Sequence, residues 1–252
     1  RQYFILMNLL KTALVSIVIP AYNEEASIGG TIQEINRVIQ KLKGCKFEII
    51  IVDNNSTDRT GEIAGNEGAR VVFEKRQGYG CAYKRGLSEA KGGIIITGDA
   101  DATYPFYDIP RFLDIMSGDK YDFISTNRFA DLEKKSMPFM NYIGNTVLTL
   151  FTNILYGLSI RDSQSGMVIF NRKYLDKVDL NVLSDGMPLC QELKLYAVSL
   201  GMRFIEIPIR YRARIGSAKL KPISDGINNL VGLMEFKKKV RKKAGNFNAL
   251  KK

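Results

Sequence analysis

Ile94-Ile95-Ile96-Thr97-Gly98-Asp99-Ala100-Asp101-Ala102-Thr103-Tyr104-Pro105 sets a β-branched run directly before two carboxylates two positions apart. Four β-branched residues in a row, closed by Gly, predict a short strand buried on both faces. Carboxylates at i and i+2 share a face in a strand, and in a turn they can converge on one hard cation. Outward from this stretch, Val15–Ile19, Phe47–Val52 and Arg70–Phe73 have the same character, and Phe123–Ser125, Met167–Phe170 and Phe204–Ile209 follow as further strands. Between the first four, Ala26–Lys43, Arg59–Glu67 and Cys81–Ala90 have helical spacing, with Ser27 as N-cap and Gly44 as stop for the first. The alternation predicts a doubly wound, mostly parallel α/β sheet flanked by helices in one domain.

In an open α/β sheet, ligands bind beyond the carboxyl ends of the strands. There the first strand delivers Pro20-Ala21-Tyr22-Asn23-Glu24-Glu25, the second Asp53-Asn54-Asn55-Ser56-Thr57-Asp58, and the fourth the Asp99–Asp101 turn. Helix caps and turns account for any one of these segments. They do not account for three at the same edge. Gly78-Tyr79-Gly80 is read more simply, as a turn before a helix, although its glycines would also let backbone approach a phosphate.

The 252 residues are 45% hydrophobic and 25% charged, an ordinary globular composition that excludes disordered and collagen-like chains. There is no His, which removes Ser-His-Asp and Cys-His chemistry and any His-ligated metal. Carboxylates, Lys, Arg, Tyr and hydroxyls remain, and oxygen-only ligands favour Mg or Mn held together with substrate phosphates. Cys45, Cys81 and Cys190 are scattered and form no CxxC pair, which argues against a zinc site and fits a reducing, cytoplasmic compartment.

The formal charge is +11, yet residues 237–252 hold eight Lys or Arg and no acid, so the preceding 236 carry only +3. A tail such as Lys237–Lys243 suits anionic lipid headgroups, or is a solvated helix end. A nucleic-acid-binding protein is the weakest alternative, because interleaved aromatics and an extended basic surface are both missing. The apolar run Tyr3–Leu10 is too short to span a bilayer. Residues 136–160 are uncharged. Within them Met140, Ile143, Val147, Leu150, Ile154 and Leu158 recur at helical spacing, and Asn141, Asn145, Thr149, Thr152 and Ser159 form a second stripe. This is an amphipathic helix with a neutral polar face, suited to a core, the commoner case, or to a membrane interface.

Ser16–Glu24 (SIVIPAYNE), Val52–Thr60 (VDNNSTDRT) and Asp99-Ala100-Asp101 together resemble the inverting family-2 glycosyltransferases with a GT-A fold. Thr126-Asn127-Arg128, Asp162–Gly166 (DSQSG) and Tyr211–Leu220 (YRARIGSAKL) are similar to the polyprenyl-phosphate hexosyltransferases among them, typified by dolichol-phosphate mannosyltransferase. The resemblance implies a catalytic domain over residues 1–221 and an amphipathic, basic tail over 222–252. It implies that Pro20, Tyr22, Glu24, Asp53 and Asn55 bind the nucleotide, and that Asp99 and Asp101 serve the diphosphate and metal. Thr103 stands where relatives often place Gln, as a third metal ligand. Arg128, Arg214 and Lys219 match phosphate-holding positions, and Asp162 and Glu192 match acidic active-site positions.

The implied reaction is metal-dependent transfer of a hexose from a nucleotide sugar (GDP-mannose, UDP-glucose or UDP-GlcNAc type) to a polyprenyl (dolichyl) phosphate. It would run at the cytoplasmic face of a membrane touched peripherally by 136–160 and by the tail, 237–252. A phosphomonoester acceptor, with a second pKa of about 6, is already largely ionised and needs positioning more than a base. A saccharide or glycolipid hydroxyl would instead need a carboxylate base, with Asp162 and Glu192 as candidates.

Overall fold

The β-branched runs pair side by side in this computed structural model, which describes residues 14–217 and 222–244. The run Tyr3–Leu10 and Lys219 lie outside the described residues. Strands β1 (Leu14–Ala21), β2 (Lys46–Asp53), β3 (Arg70–Phe73), β4 (Ile94–Thr97), β5 (Phe123–Leu132), β6 (Val168–Asn171) and β7 (Phe204–Tyr211) form one sheet. Its order is β3-β2-β1-β4-β6-β5-β7. Every pairing is parallel except those of β6, which runs antiparallel to both β4 and β5.

Helices cover both faces, which is why the central strands read as unbroken apolar runs. Val15, Ile17 and Ile19 of β1 point into one core with Ile28, Ile32 and Ile35 of α1 (Ile28–Ile39) and Phe112 of α4 (Ile109–Ser117). Val18, with Ile50 and Val52 of β2, points into the other. There it meets Ala82, Tyr83 and Leu87 of α3 (Tyr79–Glu89), the helix that follows α2 (Thr60–Asn66) and β3. Helices α5 (Phe139–Tyr156), α6 (Leu189–Ser199) and α7 (Pro222–Ala244) complete that second layer.

Three local expectations shift. Helix α1 stops at Ile39 instead of Lys43, because its last fully buried position is Ile35 and the chain then tightens, with Lys41 N–H donating to Val38 O. Ser27 precedes α1, but its hydroxyl bonds Glu24 instead of a helix N–H. The segment after residue 221 is a helix packed on the same core: Leu233 and Phe236 are fully buried, and Tyr156 Oη donates to Leu233 O at 2.6 Å.

Helix α5 is the larger surprise. Thr149 and Thr152 of its polar stripe are buried, while Met140, Ile143, Val147, Leu150 and Ile154 of its apolar stripe are exposed, Ile154 at 73%. The polar stripe is inside because Thr149 meets Ser163, whose N–H donates to the Thr149 hydroxyl at 3.1 Å. Among the described residues no helix is long and apolar enough to cross a membrane.

The close approach of α3 to β1 and β2 is set by Gly86. A Cβ there would lie 2.5 Å from Val18 Cγ1 and 2.7 Å from Val52 Cγ2. Gly86→Ala is therefore expected to lower stability by about 1–3 kcal/mol through overpacking. Gly30→Ala on the exposed side of α1, with nothing within 4 Å, should raise it by up to about 1 kcal/mol. Urea midpoints of the two variants, moving in opposite directions, check the packing.

Candidate active site

The carboxyl ends of β1, β2 and β4 open into a cavity of about 730 Å3, within the range of small-molecule sites. Pro20, Tyr22 and Glu24 after β1, Asp99 and Asp101 after β4, and Arg128 and Arg214 line it. The far wall is built by Gly144 and Leu148 of α5 and by Gly226 and Asn229 of α7.

Asp99 and Asp101 sit in different environments. Asp99 Oδ1 accepts a hydrogen bond from Tyr79 Oη at 2.8 Å. Burial and the neighbouring Asp101 charge push its pKa up to about 7. Asp101 Oδ1 accepts from Thr103 N–H at 3.1 Å and Thr103 Oγ1 at 2.6 Å, and its Oδ2 accepts from Arg214 Nη1 at 2.8 Å. The same guanidinium pairs with Glu24. The turn requires a positive φ of 66° at Ala102, a strained conformation for a non-glycine residue. It is held by Arg212 N–H on Thr103 O at 3.0 Å and Ile215 N–H on Asp101 O at 3.1 Å.

Among the described residues no three acidic or sulfur groups form a self-sufficient metal cage. Two carboxylates, Asp101 and Glu24, nevertheless converge on one cationic centre, the Arg214 guanidinium, whose buried Nε has no partner among the described residues. That donor set fits a divalent cation whose remaining ligands come from a diphosphate. Thr103 does not belong to it. At 1% exposure its hydroxyl lies behind Asp101 and orients it, correcting its assignment as a third ligand.

Arg128 and Asp162 form a buried bidentate pair. Nε donates to Oδ2 at 2.8 Å, Nη2 to Oδ1 at 2.9 Å, and the Arg128 N–H to Oδ2 at 3.0 Å. Burial pushes the Asp162 pKa upward, but the Arg128 charge and its hydrogen bonds outweigh that and hold it below the usual carboxylate range. Asp162 is 0% exposed and meets the cavity through Arg128 and Gln164, whose N–H donates to its Oδ1 at 3.0 Å. Glu192 is likewise enclosed, its two oxygens accepting from Ser184 N–H and Ser184 Oγ at 2.6 Å each. Neither acid stands where a base would meet a substrate.

Asp53 and Asn55 lie off the cavity wall. Paired with Ala21, Asp53 turns towards Gly61 of α2, so Asn54 takes the wall position, while Asn55 is exposed with φ +62°. Asn54 Nδ2 donates to Glu74 O and Arg76 O, and its Oδ1 accepts from Gly78 N–H at 2.8 Å, ordering the 74–78 loop. Tyr79 and Gln77 of the next segment also line the cavity and were not assigned roles from the sequence. The available signal was the pair of flanking glycines: a Cβ at Gly80 would fall 2.1 Å from Ser184 O.

A family model described as Glycosyl transferase family 2 matches residues 16–179. The chain is 34% identical over 214 residues to Low-salt glycan biosynthesis hexosyltransferase Agl6 of Haloferax volcanii, covering 84% of this chain and 51% of that protein, about half its length. It is 33% identical over 212 residues to Dolichyl-phosphate hexose transferase of the same organism, covering 84% of this chain and 89% of that one. Among solved structures, glucosyl-3-phosphoglycerate synthase from Mycobacterium tuberculosis with Mn2+, UDP and phosphoglyceric acid superposes with a TM-score of 0.71. At 19% identity, over 96% of this chain and 82% of that one, this is a likeness of fold.

Asp162→Ala, which strands the Arg128 charge, is expected to cost about 3–5 kcal/mol, and the double variant R128M/D162A less than D162A alone. Because the folded carboxyl titrates below the unfolded value, its contribution is complete above pH about 4 and is lost as pH falls below that. Urea titrations of the three proteins from pH 3 to pH 7 measure both effects.

Proposed function

Since the chain belongs to glycosyltransferase family 2, we propose that it transfers a hexose from a nucleotide sugar to a polyprenyl (dolichyl-type) phosphate at the cytoplasmic surface of a membrane, with inversion. The observation that carries this is the reversed helix α5: Gly144 and Leu148 face the donor cavity, while Ile143, Val147, Leu150 and Ile154 stand exposed beside it. Ile227, Val231 and Met234 on α7 extend the apolar exposure, and Lys238 and Lys239 follow on the same helix. An apolar face bordered by cations suits a bilayer surface with an anionic headgroup layer. An acceptor phosphate could then enter the cavity while its hydrocarbon stays in lipid. The Haloferax volcanii relative named for dolichyl phosphate supports the same acceptor class. Among the described residues the three cysteines form no disulfide, which supports a reducing compartment.

The enclosure of Asp162 and Glu192 favours a phosphate acceptor over a hydroxyl, because outside the donor turn neither sequence-nominated base is available. An ionised phosphate needs no base. Arg128 would orient it, and Arg214, with Lys219, would balance charge on the diphosphate as it leaves. Asp101 and Glu24 would hold a divalent cation, which supplies further neutralisation of that leaving group.

Full-length protein with Mg2+ or Mn2+, a panel of GDP- and UDP-sugars and a polyprenyl phosphate should yield a lipid-linked sugar phosphate labile to mild acid. A panel of donors in thermal melts identifies the nucleotide, since a bound donor raises the melting temperature. An acid-stable glycoside would move the assignment to a hydroxyl acceptor, and no turnover of any donor would overturn it. L150D/I154D should lose about tenfold or more of its binding to anionic vesicles without losing nucleotide affinity. Self-association of the wild type relieved by the same substitutions would instead identify α5 as a contact between copies.

A further inference from the structure

Behind Arg128, the peptide that carries Asp162 is gripped from two sides by ionised side chains that never reach the cavity. Lys194 lies on α6, whose residues 189–197 are all buried, and is itself 1% exposed. It donates to Asp162 O at 2.8 Å and to Ser163 O at 3.2 Å. From β7, Glu206 accepts Arg161 N–H at 2.7 Å and Asp162 N–H at 2.9 Å. The amides of this segment therefore bind an anion and its carbonyls a cation.

This grip continues to the cavity by two routes. The Asp162 carboxylate fixes Nε and Nη2 of Arg128, leaving Nη1 without a partner among the described residues on an arginine that lines the cavity. Gln164, two residues on, also lines it and donates to Gln191 of α6 at 2.6 Å. A neutral side chain would fill the Lys194 position without the cost of desolvating an ammonium. Stability alone does not explain a buried lysine here.

We propose that Lys194 and Glu206 are positioning residues that clamp the 161–163 peptide so that Arg128 presents its remaining guanidinium edge to the acceptor phosphate. The inference rests on the transfer reaction proposed above. Burial pushes the Lys194 ammonium down to about 8; Asp162 of the loop, Cys190 of its own helix and Glu206 of β7 oppose that, and Arg128 of β5 adds to it. The grip therefore weakens as pH rises through about 8, where the ammonium gives up its proton.

The test uses full-length K194M and E206Q, with steady-state kinetics at varied polyprenyl phosphate and separate titration of the nucleotide. Both variants should raise the acceptor KM by about tenfold or more, the scale of a misplaced positioning group, and leave nucleotide affinity within about twofold. Wild-type kcat/KM for the acceptor should fall as pH rises through about 8, and in K194M that limb should be absent. If K194M does not fold, E206Q, altered at a half-buried site, carries the same KM comparison. Unchanged acceptor KM in an active E206Q and K194M, or equal losses of acceptor and nucleotide binding, overturns the clamp alone. A wild type inert towards every lipid phosphate overturns the transfer reaction and the clamp with it.

Discussion

Arg128 and Asp162 are a cation and an anion removed from water together, one on β5 and the other on the loop leading to β6, joined by three hydrogen bonds. Their burial is tolerable only because each satisfies the other in a fixed geometry. That requirement organises the far half of the sheet. It ties the loop to β5, and through Gln164 and Lys194 it ties both to α6. It also brings Ser163 under Thr149, which draws the polar side of α5 inward.

The orientation of α5 follows from this chemistry. An isolated amphipathic helix would bury its apolar stripe against a core, yet here Thr149 and Thr152 are buried beside Leu148 and Tyr156, because hydroxyls and loop backbone lie against that side as well as apolar core. Thr149 answers Ser163, Thr152 Oγ1 bonds back to Leu148 O at 2.8 Å, and the larger apolar residues are left outside. An exposed apolar face of this extent beside a polar cavity is more than scattered surface hydrophobicity, and it marks where a non-aqueous partner fits.

At the opposite wall, charge compensation takes a different form. The turn at Asp99–Thr103 is strained at Ala102 and anchored by the segment after β7, whose Arg214 lies between Asp101 and Glu24. Two acids and one arginine leave an excess of negative charge, which a divalent cation would complement. Asp99, enclosed beside the Asp101 charge, keeps its proton up to about pH 7, although the hydrogen bond from Tyr79 Oη and the Arg214 charge both work against that.

Much of this was legible locally. The β-branched runs with a polar group at each carboxyl end determined the parallel half of the sheet and put Pro20, Tyr22, Glu24, Asp99 and Asp101 at one edge, because strand periodicity and chain order are properties of neighbouring residues. The absence of His excluded whole classes of chemistry before any coordinates. Folding decided which side of α5 meets water, why Thr103, Asp162 and Glu192 support rather than face the cavity, and that Asn54 replaces Asp53 on its wall. Several of these depend on partners far away in sequence, with a separation of 34 positions for Arg128 and Asp162 and 113 for Asp101 and Arg214. A side chain's burial and protonation are set by what the fold brings against it, and a linear pattern does not contain that contact.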